Sequence, residues 1–158
     1  MKIRKAVKKD ISKITEIYIE GNIDEEKLQF PKLNKKEIKK DFEKRKKDIK
    51  KQLAKELAEK NRLFIVIEDK KEIIAIGQAY IGKDEGKIYG GLGRIYIKKE
   101  YRRKGIGTKI TKFLIDYLKK KKVKEIESYV NTHNIPSLRL HKNFGFKPQI
   151  YKLIKKLK

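Results

Sequence analysis

Residues 95–110, IYIKKEYRRKGIGTKI, constrain this chain more than any other stretch. They read as a strand, a short basic turn and a glycine-containing entry into a helix. Arg102, Gly105 and Gly107 stand at the spacing R-x-x-G-x-G, and Ile110, Phe113, Leu114, Tyr117 and Leu118 follow at helical spacing. The first N–H groups of a helix have no partner within it, and the helix dipole places partial positive charge there. Arg102, Arg103 and Lys104 add full positive charge. Glycines at 105 and 107 leave the backbone open to close approach. Such a turn is suited to a pyrophosphate. It is neither a P-loop, since no G-x-x-x-x-G-K-[ST] string occurs, nor a dinucleotide turn, since G-x-G is followed by Ile110 and not glycine.

A second segment, NIPSLRLHKNFGF at residues 134–146, gives the turn a context. Together the two segments resemble the GNAT superfamily of acetyl-CoA-dependent N-acetyltransferases. The family's second motif, N-x-x-[AS]-x-x-L-Y-x-x-x-G-F, is matched by Asn134, Ser137, Leu140, Gly145 and Phe146, with His141 in the tyrosine position. Residues 3–14 look like the family's first strand and helix entry, so the resemblance covers nearly the whole chain.

The resemblance implies an α/β (α+β) fold with a mixed, mostly antiparallel central sheet flanked by helices. It implies acetyl-CoA as cosubstrate. The backbone of Ile95, Tyr96 and Ile97 would hold the pantetheine arm and acetyl carbonyl. The turn of Arg102, Arg103, Lys104, Gly105, Ile106, Gly107 and Thr108 would hold the pyrophosphate, and Asn134 would touch the cofactor arm. His141 would stand where relatives keep a tyrosine that protonates the departing thiolate. Imidazole can serve as such a donor when charged; the alternative is that His141 packs beside the cofactor and solvent supplies the proton. No carboxylate lies in Leu92–Ile97 to deprotonate an attacking amine. Glu127 is a weak candidate, with structural ion pairing as its other fate.

Composition narrows the class. A chain of 158 residues has the size of one domain, 1–158, able to bury a core. With no cysteine there is no disulfide framework and no thiolate, and two histidines, His133 and His141, do not make a metal site. No apolar run reaches membrane-span length, and the N-terminus lacks a signal-peptide apolar region. A soluble cytoplasmic protein, monomer or homodimer, is expected. The net charge of +24 admits an RNA or ribosome contact. Its even scatter instead suggests lysine bias of the kind found in hyperthermophile proteins.

Along the chain, strands are expected at Lys2–Lys5, Arg62–Glu68, Glu72–Tyr80, Lys87–Ile97 and Val123–Val130. Closing strands are expected at Phe146 and Tyr151–Leu157. Helices are expected from Asp10 to Gly21, from Asn34 to about Lys60, over Arg103–Lys121, and from Pro136 to Phe144 with Gly145 beyond its end. Residues 23–33 read as an acidic loop. Residues 18–33 and the Lys83–Tyr89 turn would form the acceptor pocket for an unidentified primary amine.

Overall fold

The computed structural model describes residues 1–150 and Lys155. The elements are β1 (Lys2–Lys5), α1 (Ile11–Gln29), α2 (Lys35–Ala58), β2 (Arg62–Asp69), β3 (Glu72–Asp84), β4 (Lys87–Ile97), α3 (Ile106–Lys120), β5 (Ile126–Ser128) and α4 (Ile135–Asn143). The five strands form one sheet in sequence order. β1 through β4 are antiparallel, and β5 joins β4 in parallel, as a crossover through α3 requires. The expected mixed sheet flanked by helices is therefore present.

Both faces of the sheet are covered. On one face Leu63, Ile65, Ile67, Ala75 and Leu92 pack against Ile106, Ile110, Leu114 and Leu118 of α3. On the other, Phe64, Val66, Ile73 and Ile76 meet Ile14 and Ile17 of α1 and Leu53 of α2. This explains why β2 and β3 read as near-continuous apolar runs. Among the described residues, no helix is long and apolar enough to cross a membrane.

Several boundaries differ from expectation. Gly21 does not end α1. The helix runs on to Gln29, and residues 23–29 are helix, not loop. A Cβ on Gly21 would lie 2.2 Å from Cδ1 of Tyr96, so this glycine is a mid-helix contact point. On either side of it, Ile19 and Ile23 bury against Ile38 and Phe42 of α2. β3 continues past Gly82 to Asp84, because the β3–β4 turn is the two residues Glu85 and Gly86, both at positive φ. α3 starts at Ile106, not at residue 103, because Arg103 (φ 60°) and Gly105 (φ 73°) are left-handed. Phe113 is exposed. β5 holds only three residues, and Phe146 lies in no strand. Of the closing strand expected over Tyr151–Leu157, only Lys155 falls within the described residues.

Candidate active site

β4 carries the site, and a bulge shapes it. Its register against β3 slips between Ile76↔Tyr96 and Gln78↔Gly93, leaving Arg94 and Ile95 opposite Gly77. Arg94 takes φ 51° there. A non-glycine residue in that region is held by its surroundings. Here the guanidinium bonds both carboxylate oxygens of Glu56 and the Gln78 side-chain oxygen, and it sits over the Tyr18 ring, 5.3 Å from its centroid. Burial opposes ionisation of Glu56. Hydrogen bonds from Arg94, Gln52 and Gln78 outweigh it and hold the carboxyl below the usual range.

The bulge also parts β4 from β5. Their pairing covers Gly90↔Ile126, Gly91↔Glu127 and Leu92↔Ser128, then stops, while β4 continues to Ile97. Lys98 N–H donates to the Ile74 carbonyl at 2.9 Å, so Ile97, one residue earlier, turns its own polar groups away from β3 toward the opening. The Ile97 carbonyl there accepts from Arg102 Nε at 2.9 Å.

At the end of the opening stands the basic turn. Lys99–Tyr101 makes one 3-10 turn, and Gly105 caps α3 in the left-handed region with no side-chain hydrogen bond. Among the described residues, the N–H groups of Arg103 through Thr108 donate to no protein acceptor. Six consecutive free donors at a helix N-terminus are a ready anion site. The two glycines differ in purpose. Gly105 is needed for its φ, since a Cβ there would meet nothing within 4 Å; at Gly107 a Cβ would lie 3.3 Å from Leu140 of α4. The basic side chains are partly engaged: Arg102 pairs with Asp24 at 2.8 Å, and Lys104 lies over the Tyr101 ring. Burial works against the Asp24 charge, but hydrogen bonds from Lys35 and Arg102 hold its carboxyl low.

α4 closes the other side. Asn134 caps it, its side-chain oxygen accepting from Ser137 N–H at 3.2 Å, with Pro136 in the first turn and Gly145 at φ 83° beyond the end. His141 is buried, 8% exposed. Its Nδ1 lies 2.8 Å from the Ser137 carbonyl and its Nε2 lies 2.8 Å from Ser128 Oγ, with the Phe146 ring edge-on at 5.1 Å. A carbonyl only accepts, so Nδ1 carries the proton in the neutral ring and Nε2 offers its lone pair to Ser128.

The sequence-derived residues thus fall together as a group: Ile95–Ile97 along the opening, 102–108 at its end, Asn134 and His141 on α4. The Tyr96 side chain points to the opposite face and donates to Glu25 at 2.9 Å. Burial, and then the Glu25 carboxylate, push its phenol up. Glu127, expected in an ion pair, instead accepts from the Tyr80 hydroxyl at 2.7 Å. A cleft of about 430 Å³ between α1, α2 and the turn is lined by Glu16, Glu20, Asp24, Lys35 and Arg102, among others. Sequence reasoning missed Ser128 and Arg94, whereas Glu25 lies in the segment expected to form the acceptor pocket. Strand alternation pairs Ser128 with Ile126 on the α3 face, which was the available signal for the first; nothing local marks Arg94.

The sequence model of the acetyltransferase (GNAT) family matches residues 23–146, from α1 through the end of α4. The chain belongs to the acetyltransferase (GNAT) family. Among GNAT relatives, the uncharacterized N-acetyltransferase YobR of Bacillus subtilis (strain 168) is 29% identical over 87 residues, 55% of this chain. That match spans 34% of YobR, so this chain covers about a third of the relative's length. A predicted acetyltransferase of Clostridium acetobutylicum, solved with acetyl-CoA, superposes with TM-score 0.75 at 20% identity, covering 98% of this chain and 95% of that one. An aminoglycoside antibiotic 6'-N-acetyltransferase of Acinetobacter haemolyticus gives TM-score 0.68 at 19% identity, with both chains fully covered. These likenesses show the GNAT fold.

Proposed function

We propose that this chain transfers an acetyl group from acetyl-CoA to a primary amine, on a protein or a small molecule, by direct attack in a ternary complex. The observation that carries the reading is the run of unpartnered N–H groups from Arg103 to Thr108 beside the opening between β4 and β5. Acetyl-CoA fits these residues: the free amides and Arg103 suit its pyrophosphate. The polar groups of Ile97 suit an amide-bearing arm laid along β4. The Asn134 side-chain nitrogen remains for the same arm, since its oxygen is used in capping. When bound, acetyl-CoA supplies an activated acyl carbon. This chain's residues would hold it against β4 and admit an amine beside it. They also move protons at His141, the neighbour of the opening on α4.

Isothermal titration tests this reading. The wild-type chain binds acetyl-CoA, and Gly105→Asp and Gly107→Asp each abolish binding by setting a carboxylate where the pyrophosphate lies. Unchanged affinity in both variants, or preference for ATP or NAD over CoA, would overturn it.

A second reading, an RNA- or ribosome-associated module on the same fold, draws on one observation. The outer face of α2 is exposed and lysine-rich, with Lys36, Lys40, Lys44, Lys47 and Lys51 turned to solvent.

A further inference from the structure

We propose that Ser128 and His141 form a two-residue proton relay at the point where β4 and β5 part. Ser128 faces the reacting atoms and His141 is the positioning residue behind it. The relay rests on the acetyl-transfer reading above. Ser128 is the last paired residue of β5, opposite Leu92, and so stands at the apex of the opening. It is half-buried, whereas His141 is buried. In the relay, His141 acts through the Ser128 hydroxyl that it contacts. The Oγ–Nε2 separation of 2.8 Å is full hydrogen-bond contact, and Ser128 Oγ has one further acceptor in view, the Leu92 carbonyl at 3.5 Å.

The third element is orientation. The Ser137 carbonyl fixes the proton on Nδ1, so Nε2 is free to take and return a second one. Among the described residues, no charged side chain bonds to His141. Arg139 and Lys142 on its own helix are exposed, and Glu127 faces the other side of β5, bonded to Tyr80. A hydroxyl on a histidine nitrogen that a third group orients is an arrangement suited to proton transfer.

The steps balance without any group outside the reaction. The amine forms its bond to the acetyl carbon and becomes cationic. Ser128 Oγ takes its proton while the serine's own proton passes to His141 Nε2. As the carbon–sulfur bond breaks, His141 returns a proton to Ser128, and Ser128 gives one to the departing sulfur. The protein ends as it began, with no covalent bond to the chain. This supplies the proton acceptor that β4 lacks.

The test uses Ser128→Ala, Ser128→Thr and His141→Phe, assayed with acetyl-CoA and an acceptor amine, with thermal unfolding to separate lost fold from lost rate. Ser128→Ala and His141→Phe should each lower kcat by about 10²-fold, the lower end for a positioned proton-transfer group. KM for acetyl-CoA should stay unchanged, and Ser128→Thr should retain most of the rate. The double variant should lose no more than either single one, since the pair acts as a unit. Nitrogen NMR of the free wild-type protein should find the His141 proton on Nδ1. Full-rate turnover by Ser128→Ala overturns the relay, as does a wild-type proton on Nε2. An acetyl group found on Ser128 by mass spectrometry also overturns it, because Ser128 would then be a nucleophile. A wild-type chain that acetylates no amine overturns the acetyl-transfer reading and the relay with it, whereas a full-rate Ser128→Ala enzyme overturns the relay alone.

Discussion

The ring of Tyr80 lies over the bare Cα of Gly91 and so reaches across β4 to Glu127. A Cβ on Gly91 would stand 2.0 Å from Tyr80 Cζ, and the Tyr80 hydroxyl then lies 2.7 Å from the Glu127 carboxylate. Gly91 is central to three cross-strand neighbours, Tyr80↔Gly91↔Glu127, all on the α1/α2 face. Gly91→Ala should therefore displace the ring and break the bond. The expected cost is about 1–3 kcal/mol, as for other overpacked sites. Thermal melts would show it as a fall of about 2–4 °C per kcal/mol for a chain of this size. Tyr80→Phe removes the bond without crowding and should cost less than Gly91→Ala; the reverse order would mean that the ring moves freely.

Acid should find two weak points. The Arg4 hydrogen bond holds the Asp10 carboxyl low against burial, and Glu56 is held low by Arg94, Gln52 and Gln78. Both folded-state values lie below the unfolded ones. Their stabilisation is therefore complete above the ordinary carboxylate range near pH ~4 and is lost as pH falls through the folded-state values. Asp10→Asn, which removes charged hydrogen bonds at 2.6 and 3.0 Å, should cost about 1.5–3 kcal/mol at neutral pH. The gap to wild type should close in acid. Urea melts at neutral and acid pH check this; a gap constant with pH would sink it.

On the proposed reading, Asn134 has two separable jobs. Its side-chain oxygen caps α4, and its nitrogen is left for the cofactor arm. Asn134→Asp keeps the cap and removes the donor, so stability should hold while acetyl-CoA affinity falls. Asn134→Ala removes both and should also lose about 1 kcal/mol of stability. Calorimetric binding together with thermal melts distinguishes the two effects. Equal stability loss in both variants would contradict the division.

The +24 charge should act as a diffuse field. Binding to RNA, followed by fluorescence anisotropy, should weaken linearly in log–log plots against salt and show no preference among sequences. A strong preference that survives physiological salt would favour the nucleic-acid module.

Periodicity and turn chemistry make most of the architecture legible in the sequence. β1 and β4 matched to the residue, Asn34 caps the start of α2, and Gly145 follows the end of α4, as their side chains, or lack of one, dictate. The errors along α1 share one cause, which is tertiary contact. Gly21 reads locally as a helix stop, but Tyr96, from 75 positions later in the chain, fills the space its missing Cβ leaves. Asp24, Glu25 and Glu26 read as loop because acids disfavour a helix C-terminus. Two of them are matched from outside the helix, Asp24 by Arg102 and Lys35, and Glu25 by Tyr96. In the site, the motif positions were legible. Ser128 and Arg94 were not, because what defines them is a partner across the sheet or on another helix.

The extra residue at Arg94 works as a change of phase. Strand side chains alternate, so if the same sequence were paired without the bulge Tyr96 would turn toward the α3 core, and Ile95 and Ile97 would turn toward α1. With it, the phenol reaches Glu25 while both isoleucines join the apolar side. Which face each of these side chains presents is thus set by where the bulge falls, not only by which residues are present. Deleting Arg94 would restore plain alternation and keep Ile95, Tyr96 and Ile97 on their present faces, whereas pairing all eleven residues of β4 without a bulge would invert them.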